Sequence, residues 1–549
     1  MTNNETDGEW AEARRSFTSR TPVNENPDKV DYRRGFVTRH QVSGWRFVMR
    51  RIASGIALHD TRMLVDPLRT QSRAVLTGVL ILITGLAGAF VFSLIRPNAQ
   101  AGNNAVLADR STAALYVRVG DELHPVLNLT SARLIVGQPV NPTTVKSSEL
   151  DRFPRGNLIG IPGAPERIVQ STSRDANWTV CDAVSGSAGH GAHSTGLTVI
   201  AGPPDSRGAR AAALGSDQAV LVGAPVEGGP STWLLWDGKR SQIDLADHAI
   251  TDALGLGVSD LPAPRPIAPG LFNAVPEAPS LTAPVIPNAG NPASFPVPAP
   301  IGAVVVSYAL DKTSSDSVRY YAVLPDGLQP VSPVLAAILR NNNSYGLQQP
   351  PRLGADEVAK LPVSRLLDIA RYPNQRVSLV DAAHDPVTCA SWSKPAGAAT
   401  SSLSLLAGSA LPVPEAVHPV ELVGAGSGGA ATRVALAPGA GYFTQSVGGG
   451  ATAPATGSLF WISDTGVRYG IDNESDGVST GPASAGHGKT VEALGLNPPA
   501  LSIPWSVLSL FAAGPTLSRA DALLAHDALP PDTKPGRSPV SGEAEGAPR

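Results

Sequence analysis

Cysteine and charged residues are both scarce in this chain. Two cysteines among 549 residues exclude a disulfide-dense scaffold and a zinc site built from four thiolates, and they leave room for a single bridge. Charged residues make up 16% of the chain, below the roughly 25% of ordinary globular proteins. The formal net charge of −3 argues against a nucleic-acid partner.

Long apolar runs are also scarce, with one exception. Residues 74–95 carry no charge and are bounded by Arg73 and Arg96. As a helix they would extend ~33 Å, enough to cross the ~30 Å hydrocarbon core of a membrane. The 73 residues that precede this segment argue against a cleavable signal peptide. We therefore predict a permanent single-span anchor.

The two flanks of this segment differ in charge. Residues 33–73 hold nine arginines and two aspartates, whereas residues 96–115 hold only two arginines. Because basic flanks stay on the cytoplasmic side, the sequence predicts a cytoplasmic N-terminus and an outer region that begins after residue 95.

The cytoplasmic arm contains an amphipathic pattern. From Gln41 to about His59, apolar residues recur every three or four positions, which predicts a helix. Such a helix either lies on the inner leaflet of the membrane or docks on another protein, with Trp45 as an anchor. The residues predicted to make the docking contact are Val42, Trp45, Arg46, Met49, Arg50, Ile52 and Ile56.

The outer region contains internal repeats. Matching pairs of residues are Leu123 and Leu328 at an offset of 205, Pro154 and Pro362 at 208, Cys181 and Cys389 at 208, and Ile267 and Ile503 at 236. This ordered series indicates duplication. Equivalent positions of two halves can meet on an approximate twofold axis, so Cys181 and Cys389 are predicted to form a disulfide, with two separate buried thiols as the alternative.

We therefore predict an α+β fold, in which four small repeat modules surround a β-rich core built from both halves. Short core strands are expected at residues 179–181, 197–201, 219–222, 388–392, 403–407 and 442–447. The predicted order is a cytoplasmic arm (1–73), a transmembrane helix (74–95), module 1 (96–174), a first core region (175–231), module 2 (232–282), a proline-rich linker (283–304), module 3 (305–384), a second core region (385–457), module 4 (458–526) and a disordered tail (527–549).

Catalytic motifs are weak. Gly488, Lys489 and Thr490 resemble the end of a phosphate-binding loop, but Ala483 stands where that loop needs its first glycine. His190 and His193 have no evident third ligand, so no metal is expected. The sequence predicts no catalytic residues and no cofactor.

Two segments carry a resemblance to a known family. They are Gln41-Val-Ser-Gly-Trp45-Arg46-Phe47 with the following Arg50-Arg51, and the sequence FPRGNLIGIPGAP at residues 153–165. With the single span, the repeats and the cysteine pair, residues 15–526 resemble EccB, a membrane-core subunit of the mycobacterial type VII (ESX) secretion system.

The resemblance implies a structural subunit that scaffolds an inner-membrane export machine and its periplasmic side. The partners it implies are the EccC motor, EccD, EccE and the mycosin protease, together with self-association through the periplasmic region and membrane lipid. The family is also labelled an ATPase, so ATP hydrolysis is one alternative function. An envelope- or peptidoglycan-binding anchor is the other.

Overall fold

The structure is a computed structural model that describes residues 38–59, 67–95, 101–187, 190–226, 229–257, 261–308, 318–423, 429–472 and 488–528. The predicted disordered tail beyond residue 528 and the predicted loop around Ala483 lie outside these residues. The chain divides into two units, Met1–Asn98 and Ala99–Arg549.

The first unit contains two helices, α1 (Arg39–Leu58) and α2 (Pro67–Ile95). Thr38 caps α1 by accepting the Gln41 N–H, and the Gln41 side chain in turn accepts the Thr38 N–H. The predicted amphipathic helix is thus confirmed. Within the described residues, Arg73–Phe92 of α2 is the one segment long and apolar enough to cross a membrane.

The second unit is an α+β assembly. In its first half the strands are β1 (Val106–Asp109), β2 (Leu115–Val119), β3 (Glu122–Val126), β4 (Thr143–Val145), β5 (Leu158–Ile159), β6 (Ala176–Ser187), β7 (His190–Ala201), β8 (Ala212–Ala213), β9 (Gln218–Val226), β10 (Gly229–Trp236), β11 (Lys239–Ile243), β12 (Arg265–Pro266) and β13 (Glu277–Leu281). Its helices are α3 (Leu129–Val136), α4 (Ser147–Leu150), α5 (His248–Leu254) and α6 (Pro269–Ala274).

In the second half the strands are β14 (Val304–Tyr308), β15 (Val318–Leu324), β16 (Gly327–Val331), β17 (Arg352–Leu353), β18 (Ser378–Leu379), β19 (Val387–Lys394), β20 (Ser402–Gly408), β21 (Val420–Glu421), β22 (Arg433–Ala435), β23 (Tyr442–Val447), β24 (Leu459–Ile462), β25 (Val467–Ile471), β26 (Leu501–Pro504), β27 (Ala512–Ala513) and β28 (Ala525–His526). The helices are α7 (Pro333–Asn342), α8 (Ala355–Lys360), α9 (Lys489–Leu494), α10 (Trp505–Leu508) and α11 (Arg519–Ala522), with a 3₁₀ turn at Ile369–Arg371.

Within the described residues, the second unit contains five sheets, of which four small ones are built mainly from local strands and one takes strands from both halves. The first has the strand order β28-β5-β3-β2-β1-β4, the second β12-β9-β10-β11-β13, the third β16-β15-β14-β17 and the fourth β26-β23-β24-β25-β27. In the second sheet, β18 also pairs parallel with β9. The central sheet, β21-β22-β7-β6-β19-β20-β8, takes strands from both halves. All six predicted core segments are strands, and the β-rich core built from both halves is confirmed.

The small sheets match in pairs. In the first and third sheets, three antiparallel strands are followed by a strand parallel to the first of them. In the second and fourth sheets, three antiparallel strands carry a parallel strand on each side. The helix that follows the three antiparallel strands has a similar N-cap in both the first and the third sheet. The Asn128 side chain accepts the Ser131 N–H at the start of α3, and the Ser332 side chain accepts the Leu335 N–H at the start of α7.

Sheets that pack against each other through their side chains are not always neighbours along the chain. One core contains Val117 and Leu134 of the first sheet region and Trp461 of the fourth. A second core joins Leu234 of the second sheet to Leu324 of the third. The largest, around Trp178, joins the central sheet to the second and fourth. The small sheets therefore pack as first with fourth and second with third.

Four strands pair outside the region to which the sequence assigned them. β9 and β23 fall within the two predicted core regions, but they pair with β10 and β24 in the second and fourth small sheets. β28 falls within predicted module 4, but it pairs with β5 of the first sheet. β18 falls within predicted module 3, but it pairs with β9 of the second sheet. Short apolar strands do not reveal their partners in sequence, because strand pairing is set by tertiary packing.

Candidate functional site

Helix α1 carries an exposed apolar stripe. Of the side chains on it, Trp45 is 64% exposed, Ile52 51% and Ile56 73%. At 100° per residue, all members project within one broad face of the helix. We call this set the apolar stripe; its members are Val42, Trp45, Val48, Met49, Ile52 and Ile56.

The basic residues of α1 lie beside and opposite the stripe. Arg46, Arg50 and Arg51 are exposed, and none makes an ion pair with another described residue. The predicted docking residues are thus together on one helix. Such a surface suits an apolar groove with an acidic rim, or an anionic membrane surface.

The cysteine pair lies at the centre of the second unit. Cys181 on β6 and Cys389 on β19 face each other in register and form a disulfide, as predicted. The two strands come from different halves of the chain, and 208 residues separate the cysteines. Beside the bridge, Thr179 donates a hydrogen bond to Ser391 at 2.9 Å. The bridge therefore links the halves covalently where they share a sheet.

Two buried ionisable residues near this disulfide, Asp182 and Arg265, were not found from the sequence. Asp182, only 2% exposed, accepts hydrogen bonds from the Ser194 hydroxyl at 2.5 Å and from the Ala268 N–H at 2.7 Å. Burial raises the pKa of Asp182 above its ordinary 3.8, against the lowering effect of these hydrogen bonds and of the Arg265 charge.

Arg265 completes this cluster. Its guanidinium donates to the Thr388 hydroxyl at 2.7 Å and to the backbone carbonyls of Val380 and Asp385. Burial lowers the pKa of Arg265, partly offset by nearby carboxylates. A lone acid in an apolar strand could have pointed to Asp182, but nothing in the proline-rich surroundings of Arg265 pointed to a buried cation.

The predicted phosphate-loop residues start a short helix. Gly488 is the N-cap of α9, a helix of six residues, whose Val491 and Leu494 are buried. A cavity of about 230 Å³ beside it is lined by residues of both charges, including Lys489, Glu492 and Asp472. These residues lie together, but the stretch of chain before Gly488 that a phosphate-binding loop would need is outside the described residues.

Of the two candidate histidines, only His193 has a described side chain, and its hydrogen-bond contacts do not include Asp182. His193 contacts the Ser185 hydroxyl at 3.1 Å, whereas Asp182 binds Ser194. The side chain of His190 lies outside the described residues. Within the described ranges there is no group of three or more His, Cys, Asp or Glu side chains placed to hold a metal ion.

A family model described as "Type VII secretion system ESX-1, transport TM domain B" matches residues 34–531. The chain is 77% identical over 546 residues to the ESX-3 secretion system ATPase EccB3 of Mycobacterium tuberculosis strain H37Rv, with 99% of both chains covered. It is 37% identical over 510 residues to the ESX-5 secretion system ATPase EccB5 of Mycobacterium marinum, covering 92% of this chain and 96% of the relative.

The chain is also similar to solved structures of EccB proteins. The EccB3 dimer from the ESX-3 core complex matches with 61% identity and a TM-score of 0.67, covering 77% of this chain and all of that one. An intact ESX-5 inner membrane complex matches with 36% identity and a TM-score of 0.67, covering 93% of this chain and all of the matched chain. This chain therefore belongs to the EccB family and is a core subunit of a type VII secretion system.

Proposed function

We propose that this chain is the EccB subunit of an ESX-3-type system and that it acts as a scaffold rather than as an enzyme. Its identity to the relatives named EccB3 is 66–77%, against 37–38% to those named EccB5. The observation that carries the scaffold role is the apolar stripe, which the chain leaves exposed. Burial in a partner's groove would stabilise such a contact by about 1.5–3 kcal/mol for each fully buried side chain.

The proposed orientation places α1 in the cytoplasm, α2 in the inner membrane and the second unit in the periplasm. The nine arginines within residues 33–73 support it, because positive flanks stay inside. The Cys181–Cys389 disulfide supports it as well, since such bridges persist on the oxidising side of a membrane.

The second unit is proposed to be a duplicated platform of four repeat modules. Its support is the shared strand order of the first and third small sheets and of the second and fourth. In this proposal the platform associates with further copies of itself, as the relative described as an EccB3 dimer does. Its remaining partners would be EccC, EccD, EccE and the mycosin protease, and α1 would contact those that reach the cytoplasmic side.

The docking role of α1 is tested by replacing Trp45 and Ile52 with Asp in the full chain. Two charges in the apolar stripe should leave membrane insertion intact and abolish co-purification of the other core subunits. The matched control replaces Ser43 and Ser54, on the opposite face of α1, with Asp. Unchanged co-purification of the Trp45/Ile52 variant would contradict docking.

ATP hydrolysis is the second candidate, favoured by the name that the EccB3 and EccB5 relatives carry and by the lysine-lined cavity at α9. The purified full chain and a Lys489→Ala variant separate the two functions. ATP turnover abolished by this substitution would establish the enzyme. A scaffold predicts no turnover above the variant's background.

A further inference from the structure

The two hairpins at the middle of the central sheet are equivalent. Cys181 of β6 pairs with Cys389 of β19, and the two cysteines are 208 positions apart. The outer strands of the hairpins keep this offset, because Cys181 also pairs with Thr198 of β7 and Cys389 with Leu406 of β20. An approximate twofold axis therefore passes through the disulfide and exchanges β6 with β19.

Strands that are equivalent about such an axis could also pair with themselves. The β6 strands of two copies of this chain could pair in the register that sets Cys181 against Cys181. Exchange of an identical element between copies is a low-cost route to misassembled dimers, and repeated domains are prone to it. The side chains along the two strands distinguish β19 from a second β6.

The cross-strand pairs of β6 with β19 are matched in kind. Thr179 lies opposite Ser391, and its hydroxyl donates to the Ser391 hydroxyl at 2.9 Å. On the other side of the disulfide, Asp182 lies opposite Thr388. Apolar residues likewise face apolar residues, in the pairs Val180 with Ala390, Ala183 with Val387 and Trp178 with Trp392. Matched pairs of this kind are the unit that stabilises a sheet.

Self-pairing of either strand would lose this match. About the same axis, Asp182 would face Val180 of the second copy, and Thr179 would face Ala183. Self-pairing of β19 would also set polar residues against apolar ones, in the pairs Thr388 with Ala390 and Ser391 with Val387. None of the four polar residues is more than 7% exposed. A hydroxyl that loses its partner there is left unsatisfied away from water, which is costly.

A buried cation beside the strand pair adds to this preference. Arg265 of β12 donates to the Thr388 hydroxyl at 2.7 Å. The equivalent of Thr388 on β6 is Val180, which has no hydroxyl. At the offset of 236, Leu501 stands in place of Arg265, and it packs in the same core as Val180. A self-paired β6 would therefore set the guanidinium against valine and remove one of its acceptors.

We propose that these matched pairs make β6 select β19 of its own chain and reject β6 of another copy. Residues 178–183 and 387–392 carry the selection, and Arg265 strengthens it by recognising Thr388. The duplicated halves thereby close within one chain, even where several copies fold side by side. The selection acts inside the second unit, so its test does not depend on the docking of α1.

A chain with one cysteine reports self-pairing of β6. In the full chain carrying Cys389→Ser, Cys181 can form a disulfide only with Cys181 of another copy, and self-pairing brings the two into register. The chain is purified in detergent after thiols are blocked, and the disulfide-linked dimer is measured on a non-reducing denaturing gel. The Cys389→Ser chain itself should give little dimer, because its β6 still pairs with β19.

Adding Val180→Thr and Ala183→Thr to this chain makes β6 match itself. In the self-pair the new hydroxyls would face Asp182 and Thr179, whereas on β19 they would face apolar residues. The disulfide-linked dimer should therefore rise about fivefold. The control adds Val199→Thr instead, which places a hydroxyl at a buried position of the same core on β7 and should leave the dimer unchanged.

Further changes on β19, Val387→Thr and Ala390→Ser, restore the match within the chain. Because the two halves of one chain are at a high effective concentration, the dimer should then fall back toward the level of the Cys389→Ser chain. An unchanged dimer level in the Val180→Thr/Ala183→Thr chain, or a rise that the β19 changes do not reverse, would overturn the proposal. If that mismatched chain fails to accumulate, the rematched chain should restore the yield, and loss of both chains would also overturn the proposal.

Discussion

Asp182 and Arg265 are two buried ionisable residues close to the disulfide, inside the second unit. Removing charges from water is costly unless each polar atom finds a partner. Here the Asp182 carboxylate on β6 accepts two hydrogen bonds, from β7 and from the residue before α6. The Arg265 guanidinium on β12 donates three, one to β19 and two to carbonyls of the chain between β18 and β19. These hydrogen bonds therefore join the second small sheet to the central sheet and help to fix their relative position.

Burial of Asp182 has a consequence for the pH dependence of stability. Because its pKa is raised in the folded state, protonation favours folding, so this contribution is complete below pH 3.8 and is lost as the pH rises through the raised pKa. The side-chain amide of the asparagine in the Asp182→Asn variant cannot ionise, so that variant lacks this pH-dependent contribution. Relative to Asp182→Asn, the wild-type melting temperature should therefore fall between pH 4 and pH 7.

The measurement is differential scanning fluorimetry of both proteins at the two pH values, with Asp326→Asn in an exposed turn as the control. A constant difference in melting temperature between wild type and Asp182→Asn would show that Asp182 does not titrate differently in the folded and unfolded states.

At the scale of elements, periodicity was sufficient to predict α1, but it predicted neither the short helices of the second unit nor the partners of its strands. The amphipathic helix predicted from Gln41 to about His59 spans Arg39–Leu58, because its apolar spacing and its Thr38 cap are local signals. The return of β28 to the first sheet joins residues 366 positions apart, as in the contact between His526 and Gly160. No local pattern encodes such a pairing.

The disulfide between β6 and β19 should contribute strongly to stability. Closing a loop of 208 residues restricts the unfolded chain, and the chain-entropy relation gives about 5 kcal/mol. Replacing both cysteines with Ser should lower the melting temperature of the purified chain. Non-reducing peptide mass spectrometry should find the two cysteine peptides linked in wild type.

Two alkylated thiols in that experiment, or an unchanged melting temperature in the double Ser variant, would contradict the structural role of the bridge. Because both cysteines are buried, the Ser variant is a more direct test than added reductant.

At the scale of the whole molecule, the sequence predicted a duplicated outer region and a core shared by both halves. It did not predict that the first sheet packs with the fourth and the second with the third. That arrangement depends on which apolar faces meet. Leu134 and Trp461, for example, lie far apart in the chain but belong to one hydrophobic core in the fold, which their local sequence does not indicate.

The proposed scaffold role requires the membrane to separate α1 from the second unit, and cysteine labelling in spheroplasts tests this topology most directly. Ala57→Cys on α1 and Ala399→Cys on an exposed loop of the second unit provide single reactive thiols, since the native cysteines are bridged. A membrane-impermeant maleimide should label residue 399 in intact spheroplasts and residue 57 only after the membrane is opened. Labelling of residue 57 in intact spheroplasts, or protection of residue 399, would contradict the proposed topology and the scaffold role that depends on it.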